Sequence, residues 1–361
     1  RHRPGMAAAV GPEEFVYGEE DFILPGAGWE SDPTASLSRF DRMLLDSWDD
    51  RAERGLFRYR LGPLPARSLP GALGLVAQLH VQRGTERRPP QLVRSLQDPF
   101  DPSAFNFTRL RPGELLLRLR RADGSRSGAA APAPEPLLVA INASPLERGH
   151  VLLLPEPARL LPQALTAPVL LGALEAALLS AHPGLRLGFN GLGGGASVNH
   201  LHLHGLYLPR PLPVEAAPAQ PLGPRLGLLL RGVPAPAFLF FAGGPAELEA
   251  VARDVCGAAE RLTAAGLAYN VLVTRGEPPA GPRPGAARGL RVLLWARRPS
   301  LGAKDGAAFT VALCELVGHL PLPAAALYRD ITEEQALRHI REHLLPEPEL
   351  LRLGGELARL L

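Results

Sequence analysis

The sequence predicts an α+β fold, antiparallel sheets with packed helices, arranged as two related halves. Three observations carry that expectation. Segments that read as strands come in runs with one long helical segment set between them, the order of a sheet with a helix packed on it. A stretch with six prolines, residues 209–224, divides the runs. The segments beyond it resemble a second, degenerate copy of those before it. The expected divisions are an irregular N-terminal arm over 1–34, a first domain over 35–212 and a second over 213–361. A chain of 361 residues is long enough for two such cores.

Taken in order, the arm mixes proline, glycine and acids and predicts no regular element. Over 36–54, Phe40, Met43, Leu44, Leu45 and Trp48 recur at helical spacing, and Gly55 supplies the stop. Residues 56–59 and 73–80 read as strands, 83–90 as a loop, and 98–108 as a turn-rich aromatic segment. A largely apolar strand is expected over 114–119, followed by a Gly/Ala/Pro/Ser loop over 121–136. Residues 137–142 and 150–154 read as paired strands across a turn at 144–149. The Leu- and Ala-rich segment 169–180 predicts a helix, and 185–189 a strand. Beyond the prolines, 245–266 reads as a helix, 269–274 and 290–296 as strands around a loop at 277–289, 309–318 as helix or strand, and 331–361 as helical.

The chemistry concentrates in residues 189–209, FNGLGGGASVNHLHLHGLYLP. Three of the ten histidines, His200, His202 and His204, alternate with Leu201 and Leu203. If 198–208 is a strand, the imidazoles share one face at roughly 6–7 Å spacing and the leucines enter the core. Upstream, Gly191 and Gly193, Gly194 and Gly195 let the backbone turn sharply and aim N–H groups at an anion. Imidazole is largely neutral and nucleophilic near pH 7. The composite reads as a phosphate cradle beside a nucleophilic histidine. Zinc binding by three imidazoles is the rival, although no carboxylate or cysteine within the stretch completes such a site.

Composition narrows the field. A hydrophobic fraction of 46% with 21% charged residues fits a globular chain, and Gly plus Pro, 38 + 39 = 77, stay below a disordered composition. Net charge is +3, with Lys304 the one lysine; basic residues 118–126 lack interleaved aromatics, so nucleic acid is not implied. Cys256 and Cys314 fit no disulfide or zinc pattern. Residues 160–181 are broken by Pro162, Pro168 and Glu175, too interrupted to span a membrane. No signal-peptide pattern opens the sequence, Arg1 to Gly5 precede Met6, and a cytoplasmic protein is expected.

The residues His200-Leu-His202-Leu-His204-Gly-Leu206 resemble the signature of the histidine triad superfamily, and residues 141–155, INASPLERGHVLLLP, resemble its nucleotide-pocket strands. Residues 48–51, 55–59, 76–79, 88–90, 105–107 and 269–272 are similar to the GDP-hexose phosphorylases of that superfamily, including those of animals acting on GDP-D-glucose and those of plants acting on GDP-L-galactose. The resemblance implies a histidine-triad-like fold in both halves, the second lacking the histidines, as in the galactose-1-phosphate uridylyltransferases. It implies phosphorolysis of GDP-D-glucose to GDP and glucose 1-phosphate through a guanylyl-histidine, with no metal or cofactor. By the same match, His202 is the nucleophile, His200 orients it and His204 donates to phosphate oxygens. Asn142 falls where a polar residue meets ribose. Asn190, Ser197 and the three glycines fall on the phosphate side. His150 is expected to be structural, and no spacing places Asn106 or Lys304. The superfamily often pairs two such sheets, so a homodimer is expected.

Two alternatives remain open at this level. Plant enzymes carry glutamine where this chain has His204, and hydrolases of the superfamily carry histidine, which makes water a possible acceptor. A non-catalytic GDP-sugar-binding module is the second.

Overall fold

A computed structural model describes residues 11–24, 37–122, 134–302 and 308–361. Most of the loop expected at 121–136, much of the arm, and Lys304 lie outside the described residues. The first half contains β1 (Glu13–Tyr17), α1 (Arg39–Glu53), β2 (Ala66–Ser68), β3 (Val76–Leu79), α2 (Val81–Glu86), β4 (Leu115–Arg121), β5 (Leu137–Ile141), β6 (Val151–Leu154), α3 (Ala167–Leu179), β7 (Leu185–Asn190) and β8 (Leu203–Tyr207). The second contains β9 (Gln220–Gly223), β10 (Leu226–Leu229), β11 (Ala237–Ala242), α4 (Leu248–Ala264), β12 (Ala268–Gly276), β13 (Gly289–Arg297), α5 (Leu313–Leu316), β14 (His319–Leu322), α6 (Ala325–Asp330), α7 (Glu333–Arg341) and α8 (Glu347–Leu360).

Among the described residues these strands form one eleven-stranded sheet, ordered β1-β4-β5-β6-β8-β7-β12-β13-β11-β10-β9, and a small sheet ordered β14-β3-β2. The two halves meet where β7 pairs antiparallel with β12, from Asn190 opposite Asn270 to Leu187 opposite Val273. Side chains alternate across the large sheet as strand geometry requires. Val271, Val273, Val292 and Leu294 join one core with residues of α1, α3, α4 and α8, while Leu272, Leu293 and Trp295 join a second core with residues of α5, α7 and the small sheet.

Several expectations need correction. Residues 13–17, assigned to an irregular arm, form β1 and pair parallel with β4, burying Phe15 and Tyr17. Residues 56–59 are bends rather than a strand. The end of α1 takes the first of them: Gly55, at φ 70°, donates to Ala52 O and Leu56 N to Arg51 O, a Schellman closure, while Arg58 N donates to Ala143 O. Residues 309–318 hold the short α5, and the C-terminal helical stretch is broken between α7 and α8, before Pro346. The small-sheet strand β14, parallel to β3, was not foreseen.

The histidine strand is also shorter than its alternation suggests, because β8 begins at Leu203. Loop partners take the backbone N–H groups before it: Asn199 N donates to Gln91 Oε1, Leu201 N to Leu161 O and His202 N to Gln163 Oε1. The alternation itself persists, with Leu201 and Leu203 in the core.

Asp41 ties α1 to this framework. Fully buried, its carboxylate accepts from Ser38 N in a capping box, from Ser180 Oγ, from the N–H groups of Ala181 and His182, and from the Tyr207 hydroxyl on β8. Removing it leaves several buried donors without an acceptor. Asp41→Ala is expected to lower stability by about 3 kcal/mol or more, read as a fall in Tm by calorimetry; an unchanged Tm would show the hub to be dispensable.

Candidate active site

The site is assembled where β8 and the glycine turn meet the loops of the first half. Phe107 sits in a one-turn helix capped by Asn106, whose Oδ1 accepts from Thr108 N. That turn aims Phe107 N–H at His200 Nδ1, 3.0 Å away, and stacks the Phe107 ring on the imidazole. His200 Nδ1 is thereby an acceptor, and its proton resides on Nε2.

The ring of His202 is fixed differently. Its Nδ1 lies 2.7 Å from the His200 carbonyl oxygen. A carbonyl only accepts, so Nδ1 carries the proton and Nε2 presents a bare lone pair. Phe107 and His204 flank the ring at 5.0 and 5.2 Å between centroids. Gln163 clamps the backbone at this point: its Oε1 accepts from His202 N at 2.9 Å, and its Nε2 donates to His202 O and Asn190 O.

His204 belongs to a chain of assigned tautomers. Leu146 N donates to His150 Nδ1 at 2.9 Å, so His150 holds its proton on Nε2. That N–H donates to His204 Nδ1 at 3.0 Å, which leaves His204 with a proton on Nε2. His150, expected to be structural, therefore lies in the wall of the site and sets the tautomer of His204. The pairing of β6 with β8 brings the two histidines together.

Burial pulls the His202 pKa down to about 4, against a smaller opposing pull from its bond to the His200 carbonyl. His204 falls well below the ordinary imidazole value through burial first, then through His202 and Arg83. His150 falls likewise, mainly by burial, and His200 less so, held up in part by the Pro157 carbonyl. All three triad rings are neutral near pH 7.

A cavity of about 620 Å³ opens here, lined by His150, His204, Asn190, Ser197, Gly193 and Gly195 among others. Gly193 and Gly195 have φ of 72° and 100°, and a Cβ on either would strike Leu96 or Ala312 within 3 Å. Gly194 is drawn elsewhere: its N–H donates to Gly191 O and its carbonyl accepts from Asn270 Nδ2. Asn190 Oδ1 accepts from Asn270 Nδ2 and Leu313 N. Asn142 forms an Asx turn, its Oδ1 accepting from Ser144 N, and its amide approaches His150 Nε2. Ser197 is exposed at the cavity wall. A larger cavity of about 1090 Å³, lined by Trp48, Gln78, Glu147 and His319 among others, includes none of the three histidines.

Sequence reasoning missed Gln163, and also His80, Arg83 and Arg87, which line the smaller cavity. The one usable signal was Gln163, a lone amide in the apolar run LLPQAL. Arg83 and Arg87 were passed over because arginine is abundant throughout the chain.

An unprotonated imidazole nitrogen beside a second imidazole that presents an N–H, next to a glycine turn, has the chemistry to attack a phosphorus centre and to meet charge on its oxygens. The fold agrees. Yeast Ap4A phosphorylase Apa2 in complex with AMP shares it at a TM-score of 0.58, with 12% identity, over 86% of this chain and 97% of that one.

The particular family follows from sequence. A model described as "GDPGP1-like, N-terminal domain" matches residues 39–206 and one described as "GDPGP1-like, C-terminal domain" matches residues 230–356, so the chain belongs to the GDPGP1-like family. It is 52% identical to GDP-D-glucose phosphorylase 1 of Bos taurus over 93% of this chain and 89% of the bovine protein. The Homo sapiens protein of the same name is 51% identical over 92% and 88%. GDP-L-galactose phosphorylase 1 of Arabidopsis thaliana is 32% identical over 85% and 70%.

Because Gln163 holds His202 by the backbone alone, Gln163→Ala is expected to lower kcat about 100-fold through misplacement of the ring, with a smaller change in KM. Steady-state kinetics on the folded variant check this, and a wild-type kcat would refute the clamp.

Proposed function

We propose that the chain cleaves GDP-D-glucose by phosphorolysis, giving glucose 1-phosphate and GDP through a guanylyl group carried on His202. The observation that carries the reading is the Nδ1–H bond from His202 to the His200 carbonyl, which leaves Nε2 free to attack. High identity to GDP-D-glucose phosphorylases over nearly the whole chain supports the choice of substrate.

In the first step the Nε2 lone pair attacks the α-phosphorus. The bond to the bridging oxygen breaks, and its electron pair leaves with glucose 1-phosphate. Nδ1 keeps its proton on the His200 carbonyl, so the guanylylated ring is cationic and leaves readily in the second step. An oxygen of inorganic phosphate then attacks the same phosphorus, the P–N pair returns to Nε2, and GDP departs. The ring ends neutral, as it began.

His204 Nε2–H donates to the α-phosphate oxygens, where charge builds in both transition states. The N–H groups of Gly193 and Gly195 are not hydrogen-bonded among the described residues and fit the same task. In this reading Asn190 and Ser197 face the phosphates, Gly194 holds the turn through its carbonyl, and Asn142 meets the ribose. His200 orients its neighbour through its main-chain oxygen.

No helix among the described residues is long and apolar enough to cross a membrane. A cytoplasmic setting belongs to the reading, supported by two buried free cysteines, and so does a homodimer, from the superfamily resemblance.

Incubation with GDP-glucose, with and without inorganic phosphate, tests the reaction. GDP and glucose 1-phosphate should form only with phosphate, and His202→Ala should abolish both. GMP and glucose 1-phosphate formed equally without phosphate would replace phosphorolysis by hydrolysis.

The pH profile offers an independent check. His202 must be neutral to attack and its pKa is pulled down to about 4, so the acid limb of kcat/KM should lie well below pH 6.5. The depressed value also makes stability fall with pH below about 6.5, where unfolded histidine binds protons and the folded ring does not. An acid limb at 6.5 in protein that remains folded would contradict a buried nucleophile.

A further inference from the structure

We propose that Arg83 and Arg87 form the subsite that holds the attacking inorganic phosphate, the feature that directs the intermediate to phosphate rather than water. The inference rests on the phosphorolytic reading above and adds the residues that select the acceptor.

Arg83 lies in α2 and Arg87 caps its C-terminus, four residues on, where side chains of a helix lie one above the other. Both arginines line the cavity that has His204 in its wall. Arg83 Nε donates to Ser144 O at 3.2 Å, which fixes the side chain, while its two terminal nitrogens take no hydrogen bond among the described residues. Neither arginine has an ion-pair partner among them. Two like charges at this spacing repel, and the Glu315 carboxylate, which lines the same cavity, offsets this for Arg83 only in part. A bound dianion supplies the missing charge. Arginine suits it, because the planar fork pairs with two phosphate oxygens at once.

A second observation comes from His80, on the same cavity wall. The residue is 3% exposed, and its Nε2 lies 3.0 Å from the Pro145 carbonyl, so the proton resides there. Its Nδ1 is then a buried acceptor with no partner. Such an atom is costly unless a ligand donates to it. Hydrogen phosphate carries one P–OH at neutral pH, and this group completes the set: two oxygens on the arginines and one hydroxyl on His80. Burial holds His80 neutral, which keeps the acceptor available.

Arg83, Arg87 and His80 share the cavity wall with His204, whose ring lies against that of His202. Attack on guanylyl-His202 must come from the side opposite the P–N bond, where the phosphate of the departing hexose 1-phosphate lay in the first step. One cationic subsite therefore serves both half-reactions. Water needs no such cation, so loss of the arginines penalises phosphate selectively.

The ratio of GDP to GMP formed from GDP-glucose at fixed inorganic phosphate isolates this step, because both products arise from the same intermediate. Arg83→Gln should lower the ratio roughly 10- to 100-fold, the scale of a lost charge-assisted pair. Arg83→Lys, which keeps the charge, should restore part of it, and Arg87→Gln should lower the ratio less than Arg83→Gln. Thermal unfolding establishes which variants are folded; if Arg83→Gln is not, Arg87→Gln carries the test. Folded variants with the wild-type ratio would overturn the subsite and leave phosphorolysis standing. Wild-type protein that yields only GMP in the presence of phosphate would overturn phosphorolysis itself, and the subsite with it.

Discussion

The hydrogen bond from His202 Nδ1 to the carbonyl of His200 is the constraint on which the site depends. It decides which nitrogen carries the proton and which is left as a bare acceptor, and it fixes the ring. A side-chain carboxylate in that place would hold the ring as well, but would stabilise the imidazolium and dull the nucleophile. A neutral carbonyl orients without that penalty. The arrangement goes with an irregular backbone at 200–202, and His200 and His202 accordingly precede the regular strand while His204 lies within it. Gln163 then takes over the work that a neighbouring strand would otherwise perform.

The second half of the chain contributes support rather than histidines. Asn270, directly across the sheet from Asn190, bonds both the Asn190 side chain and the Gly194 carbonyl. The Tyr269 carbonyl accepts from Gly191 N and approaches Gly194 so closely that a side chain there would collide with it. The glycine turn is thus moulded on β12, and the seam between the halves is also the floor of the cradle. Arg297, buried nearby, donates to Val311 O and pins the segment leading into α5 against the same turn.

Much of this was legible in the sequence, and the limits have physical causes. Strict alternation of His200, His202 and His204 with leucine placed the imidazoles and the core residues on opposite sides, because extended backbone keeps that period whether or not it is hydrogen-bonded into a ladder. The same alternation could not show where the ladder begins, which depends on remote loops. Gln163 meets a histidine 39 positions away and Arg83 a carbonyl 61 positions away. No local pattern encodes such pairings. Residues 56–59 failed for a related reason: their apolar composition suits a strand, but Leu56 N closes α1 and Arg58 N donates to the remote Ala143 carbonyl. His150 is buried and hydrogen-bonded as expected, but no local pattern shows that one of its partners is His204, 54 positions away.

The open sheet of eleven strands also carries its own protection against aggregation. Unpaired strand edges invite other chains to add on. Here one edge, β1, begins with Glu13 and Glu14, both exposed, which set charge where another strand would have to pair. The other edge, β9, is four residues long, contains Pro221 and is covered in part by α8, with Leu222 against Gly354. A proline cannot donate to a ladder. A long, largely apolar sheet can therefore sit in a crowded solution without templating the stacking of its neighbours.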